Sequence, residues 1–181
     1  MVRPSKRAQR RRELIVVFER LLGEFGYEGT TVARLAEAAE LSPGLVHHYF
    51  RNKDELTEEL LRHLTGKLGQ RLSGAKDLPG LLDAALSLGP NADPQAAKAW
   101  VGVFAESMRR PELRRRLQST LGRFRRALKK AGAEDEQALL LVALSTGFLV
   151  LGAIDPRFTG GRAADIARRV RLEPAEARPL D

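Results

Sequence analysis

The sequence predicts an all-α protein, and three observations lead there. Apolar residues recur at three- and four-residue steps along most of the chain. No run sustains the two-residue alternation of a strand rich in Val, Ile and Thr, and no hairpin dipeptide such as Asn-Gly occurs. The 181 residues, 43% of them hydrophobic, suffice for one sizeable core or two small domains sharing a boundary.

The elements follow in order. A first helix is expected over about residues 7–25, where Leu14, Val17, Phe18, Leu21, Leu22 and Phe25 make one apolar stripe. Gly26 is its expected stop, because glycine tolerates the left-handed backbone of a helix end. Thr30 or Thr31 then caps a short helix, TVARLAEAA, with Val32, Leu35 and Ala36 turned inward. Glu40-Leu41-Ser42 is a tight connection. Ser42 can cap the next helix, residues 43–50, and Pro43 fits its first turn, where an N–H has no partner. Asn52 ends the turn that follows, and Lys53 opens a longer helix through Leu56, Leu60, Leu61, Leu64 and Leu68. Further helices are expected over residues 77–87, 94–109, 112–131, 134–154 and 162–171, with breakers at Gly89-Pro90, Asp93-Pro94, Gly132, Asp155-Pro156 and Gly160-Gly161. The tail from Glu173 is expected to fray.

Composition narrows the function classes. Thirty-one Lys and Arg against 23 Asp and Glu leave a formal charge of +8, which points to a polyanion or simply to a soluble basic protein. The absence of cysteine excludes disulfides, thiolate metal sites and cysteine nucleophiles, and fits a cytoplasmic location. The basic N-terminus leads into no apolar signal-peptide core, since Leu14 to Phe18 runs straight into Glu19 and Arg20. Residues 138–154, ALLLVALSTGFLVLGAI, fall at the lower edge of a membrane-spanning length. Ser145, Thr146, Gly147 and Gly152 dilute this segment, no second one accompanies it, and the remainder is highly charged. Burial against a partner subunit, with no membrane, is the preferred expectation; a membrane-associated helical adaptor is the rival.

The segment from Thr30 to Leu56 has the dimensions of a helix-turn-helix: two short helices, a turn of a few residues, and small apolar residues such as Ala36 and Val46 where helices cross. Its second helix would fit the major groove of double-stranded DNA. Gly44 permits close backbone approach, and His47, His48 and Tyr49 are consecutive polar rings that can bond to phosphate or base edges. Lys53 and Thr31, each at a helix start, can meet phosphates. The alternatives are a metal site at His47 and His48, disfavoured because adjacent helical residues diverge by about 100° and position 51 is Arg51, or an ordinary core.

From about Arg12 to Leu61 the chain resembles the DNA-binding domain of TetR-type regulators. The matching features are the long first helix, Phe25-Gly26-Tyr27, Thr30-Thr31-Val32, Leu35-Ala36, Leu41-Ser42-Pro43-Gly44 and Tyr49-Phe50 followed by Lys53 and Leu56. The resemblance implies an N-terminal three-helix helix-turn-helix domain, residues 1–52. It also implies a C-terminal helical ligand-binding and dimerisation domain, residues 53–181, with about nine helices in all. It implies phosphate contacts from Thr31, His48, Tyr49 and Lys53, and base-edge contacts from Pro43, Gly44 and His47, with Ser42 completing the DNA-facing set. Where many members carry Tyr-Tyr-His or Tyr-Trp-His, this chain has His47-His48-Tyr49, so base preference does not carry over. The His-Tyr-Phe form, and the segment KAWVGVFAESMRRPELRRRL from Lys98, are similar to the choline-responsive BetI-like branch.

The expected function is that of a ligand-responsive transcriptional regulator. It would most readily be a repressor that leaves a palindromic operator when a small molecule binds; an activator of the same fold is the alternative. Trp100, Phe104, Met108, Phe124 and Phe148 are the expected cavity lining for a hydrophobic or aromatic effector, or else ordinary core. Glu106 could orient a cationic ligand or pair with a neighbouring arginine. Leu140, Leu144, Gly147, Phe148 and Leu151, with Ile166 and Val170 of the last helix, are the expected homodimer seam. The run from Arg3 to Arg12 reads as an arm for the minor groove or a disordered basic tail, and the arginines between Arg109 and Arg126 as a mostly solvated face. No nucleophile–base pairing, phosphate loop or metal-ligand spacing is found, and His63 has no acid partner evident in the sequence, so neither an enzyme nor a cofactor is expected.

Overall fold

A computed structural model describes residues 5–86, 94–155, 157 and 158. Among them are eight helices and no strand: α1 Lys6–Gly29, α2 Val32–Ala38, α3 Pro43–Tyr49, α4 Lys53–Ser73, α5 Leu78–Leu86, α6 Pro94–Arg109, α7 Pro111–Lys130 and α8 Asp135–Ile154. The ninth expected helix, with Ile166 and Val170, lies outside the described residues.

The first helix starts earlier than its apolar stripe. Ser5 caps it, accepting the Ala8 N–H at 3.2 Å, so the basic run from Lys6 to Arg12 is helical rather than a free arm; Arg3 lies outside the described residues. Arg11 is taken up internally. Its guanidinium donates to the Tyr49 carbonyl, sits 4.2 Å over the Phe50 ring and pairs with Glu55 at 3.0 Å. Gly26 interrupts α1 without ending it, with φ 67° and ψ −178°. Thr30 Oγ1 donates to the Gly26 carbonyl at 2.7 Å and steadies the kink.

The turn between α2 and α3 is a Schellman closure. Leu41 N–H reaches the Ala36 carbonyl at 2.9 Å and Glu40 N–H the Glu37 carbonyl at 3.1 Å. Glu40 takes the left-handed conformation there, φ 55°, although it carries a side chain.

Two cores hold the helices. The first joins Leu14, Phe18 and Leu22 of α1 to Leu35 of α2, Val46 of α3, Leu60 and Leu64 of α4, Val103 of α6 and Leu113 of α7. It therefore runs straight across position 52. At the α1–α6 crossing, a Cβ on Gly102 would lie 3.2 Å from Leu22, so only a glycine lets the helices come this close without adjustment. The second core packs Leu81, Leu82 and Leu86 of α5 against Phe124 and Leu128 of α7 and Leu141 and Val142 of α8.

The first core also buries a charged residue. Glu19 of α1 is only 4% exposed, with Lys67 Nζ at 3.1 Å and His63 Nε2 at 3.3 Å, both from α4. His63 thus has an acid neighbour, 44 positions away in the chain, where no local pattern could reveal it.

Within one subunit α8 is buried on one side only. Ala138, Leu141, Val142 and Gly152 are buried, but Leu139, Leu151 and Ile154 are 58%, 44% and 77% exposed. It is the one helix among the described residues long and apolar enough to cross a membrane by length and composition.

Two outcomes are expected. Gly26 occupies a backbone region essentially reserved for glycine, so Gly26→Ala should lower unfolding free energy by about 1–3 kcal/mol in urea titrations, although no atom lies within 4 Å of the added methyl. The Glu55 carboxylate accepts the Arg51 N–H at 2.9 Å and pairs with Arg11, which together outweigh its partial burial and hold it below the usual carboxylate range. A depressed folded value stabilises above the unfolded value of ~4.3 and is lost as pH falls through the folded one. The gap in melting temperature between wild type and Glu55→Gln should therefore shrink from about pH 6 to about pH 3; a pH-independent gap would rule this out.

Candidate nucleic-acid interface

The seven residues of α3 are presented outward by two anchors. Val46 is fully buried and Phe50, the C-terminal cap, is 1% exposed, while Pro43, Gly44, Leu45, His47 and His48 are exposed. Ser42 starts the helix by accepting the Leu45 N–H at 3.3 Å. The far end is closed from α1: Arg7 donates to the His48 carbonyl at 3.4 Å and Arg11 to the Tyr49 carbonyl. Cations there suit the partial negative charge of a helix C-terminus. The His48 and Tyr49 rings meet edge to face, 5.2 Å apart, and leave His47 separate on the exposed side.

Thr31, rather than Thr30, caps α2. Its hydroxyl oxygen accepts the Arg34 N–H at 3.1 Å, which leaves the hydroxyl proton to donate outward. Thr30 is buried. Leu45, 40% exposed, was absent from the expected contact set. Its signal was available, since it is the one large aliphatic residue between Gly44 and Val46 on a helix meant to face DNA, where an apolar side chain can meet a thymine methyl.

Lys53 sits differently from the expected free phosphate ligand. Its ammonium donates to the Tyr27 carbonyl and lies 3.8 Å from the Tyr27 ring centroid. Burial pulls its pKa below the ordinary lysine value. Arg110, from the α6–α7 turn, lies 4.7 Å from the same ring, bonds to Asp54 and pairs with Glu106 at 3.2 Å. The Tyr27 ring thus meets one cation from α4 and one from the α6–α7 turn. Glu106 is 7% exposed and belongs to this junction, which decides between the two roles considered for it.

A small cleft of about 60 Å³ lies among α4, α5, α6, α7 and α8. Trp100, Phe104 and Phe124 line it with Leu68, Leu121 and Leu149. Thr120, Ser145 and Thr146 contribute its polar edge. Two expected lining residues are elsewhere. Met108 is 75% exposed, because α6 turns that side of its last turn to solvent. Phe148 packs beside the second core, 6.4 Å from the Phe158 ring, one helical step away from the Leu149 that faces the cleft. Within the expected seam, Leu140, Leu144, Gly147 and Phe148 are half-buried and Leu151 is exposed. The arginines of α7 are partly engaged: Arg116 with Glu58 at 3.1 Å and Arg125 with Asp135.

Comparison with known proteins agrees with this geometry. Residues 14–60 match the model of bacterial regulatory proteins of the tetR family, and residues 75–170 match the C-terminal domain of BetI-type transcriptional repressors. The chain is 35% identical to the HTH-type transcriptional regulator BetI of Burkholderia mallei, covering 85% of this chain and 87% of that one. Among solved structures, a transcriptional regulator from Rhodococcus sp. Rha1 is 28% identical with a TM-score of 0.76, covering 87% of this chain and 92% of that one. A chain from Saccharomonospora viridis, solved in complex with choline, shares the fold at a TM-score of 0.72 and 20% identity, covering 89% and 94%. The chain belongs to the TetR family of bacterial regulatory proteins: it is a helix-turn-helix transcriptional regulator, not an enzyme, with a C-terminal domain of BetI repressor type.

Proposed function

We propose that this regulator works as a cytoplasmic homodimeric repressor that reads a palindromic operator with α3 and leaves it when a small molecule fills the cleft below α6. The observation that carries this reading is the presentation of α3: Pro43, Gly44, Leu45 and His47 face solvent while Val46 and Phe50 are locked in the core. In this reading Pro43, Gly44 and His47 meet base edges. Thr31, Ser42, His48 and Tyr49 meet phosphates, and Lys53 adds positive potential at the start of α4. Residues 1–52 act as the DNA-binding unit and residues 53–181 as the sensing and dimerising unit.

The exposed side of α8 supports the dimer. Leu139, Leu151 and Ile154 extend the half-buried row of Leu140, Leu144, Gly147 and Phe148 into one apolar face, which is costly to leave in water and suits a two-fold partner rather than a membrane. A dimer spaces two recognition helices by about 34–36 Å, one turn of DNA.

The route from cleft to operator runs through α6. Trp100 and Phe104 line the cleft, while Gly102 and Val103 of the same helix pack against α1. At its end Arg110 holds Tyr27 and Asp54. A ligand favouring a different position of α6 would shift the population of head spacings.

Fluorescence anisotropy with DNA from upstream of the gene tests the reading. His47→Ala should flatten discrimination among operator variants, by about 1–3 kcal/mol at the contacted pair. Lys53→Ala should weaken every sequence alike and reduce the salt slope of log K by less than the about 0.9 of a lost phosphate contact. No binding by the wild-type protein at low salt would overturn the proposal.

A further inference from the structure

The half of α3 that approaches base edges carries no polar side chain. In a helix-turn-helix the N-terminal residues of the second helix meet the bases. Here those are Pro43, Gly44 and Leu45, all exposed, and none of their side chains has a donor or an acceptor. Ser42, just before them, accepts the Leu45 N–H at 3.3 Å, which ties its oxygen to the helix start. The first polar ring, His47, comes two positions after Leu45. At about 100° per residue the two side chains diverge by about 200°, so they flank the outward direction from opposite sides.

Neither Leu45 nor Gly44 is called for by the fold. Leu45 is 40% exposed and belongs to neither core. Gly44 is helical, its φ is not positive, and a Cβ there would meet nothing within 4 Å. Glycine weakens a helix relative to alanine, and nothing inside the protein requires it at this position. Its missing side chain lets the backbone come close to another molecule, and Leu45 comes close with it. The major groove offers one apolar substituent, the C5-methyl of thymine; the other groups in its code are hydrogen-bond donors and acceptors. A leucine laid over those polar groups would take them from water without replacing their bonds, which is unfavourable. Laid over the methyl, it buries apolar surface on both partners.

We propose that Leu45 reads a thymine methyl in each operator half-site, so that discrimination at that base pair comes from apolar contact and not from a hydrogen bond. The proposal rests on reading α3 as the helix that enters the operator. It makes the preference one for the methyl rather than for the base. Uracil keeps every hydrogen-bonding group of thymine and loses the contact, whereas 5-methylcytosine changes those groups and keeps it.

The test begins with duplexes selected by the full-length protein from a random-sequence library. Each thymine of the selected half-site is then replaced in turn by deoxyuridine, which removes the methyl and nothing else. At one position the wild type should bind about fourfold more weakly per half-site, the effect of one buried methyl. Leu45→Ala should bind the thymine and uracil duplexes equally there, while His47→Ala keeps the fourfold difference. With that pair changed to C·G, a methyl at C5 of the cytosine should strengthen binding by the wild type and leave Leu45→Ala unmoved. The melting temperature of Leu45→Ala should match that of the wild type, since the side chain lies in neither core. A selected half-site in which no uracil weakens binding, or a uracil effect that survives in Leu45→Ala, would overturn the proposal and leave the repressor reading standing. A selection that enriches no common sequence would remove both.

Discussion

A helix of seven residues does not hold its shape alone in water, and everything this protein presents to DNA depends on that constraint being met from outside α3. Val46 and Phe50 meet it through burial, each contributing about 1.5–3 kcal/mol relative to an exposed side chain. Arg11 meets it at the C-terminal end by holding the Tyr49 carbonyl while stacking on Phe50 and pairing with Glu55. With the backbone held from behind, the outward side chains need make no contribution to folding. Pro43, Gly44, Leu45 and His47 are free to be chosen for what they touch.

The anchors belong to a core shared by both halves of the chain. Leu14, Phe18 and Leu22 pack on α4 and α6, and the glycine at position 102 brings α6 against α1. A close-packed interior of this kind transmits displacement rather than absorbing it. The Tyr27 junction adds an electrostatic tie at the same boundary, where Lys53 and Arg110 both approach the ring. The helix that forms one wall of the cleft is therefore also the surface on which the DNA-binding helices rest.

The chain's two kinds of surface are distributed accordingly. The outward face of α3 carries Pro43, Gly44, Leu45, His47 and His48, whereas α8 leaves an apolar face open along much of its length. The same helix supplies Ser145, Thr146 and Leu149 to the cleft, so subunit contact and ligand contact would share one element.

By itself the sequence determined the elements and the motif. Helical periodicity, Ser42-Pro43 at a helix start, Asn52 before Lys53 and Gly132 after α7 are local signals, and local backbone preference is what they report. The outward identity of α3 was legible for the same reason, because a short helix with one buried residue in the middle has few ways to sit. Tertiary structure decided what depends on distance in space. It took Arg11 out of the basic arm and made it a brace, turned Lys53 toward Tyr27, gave His63 a buried glutamate, and moved Met108 and Phe148 off the cleft. Those outcomes hang on which helix faces meet, and partners separated by tens of residues leave no periodic trace along the chain.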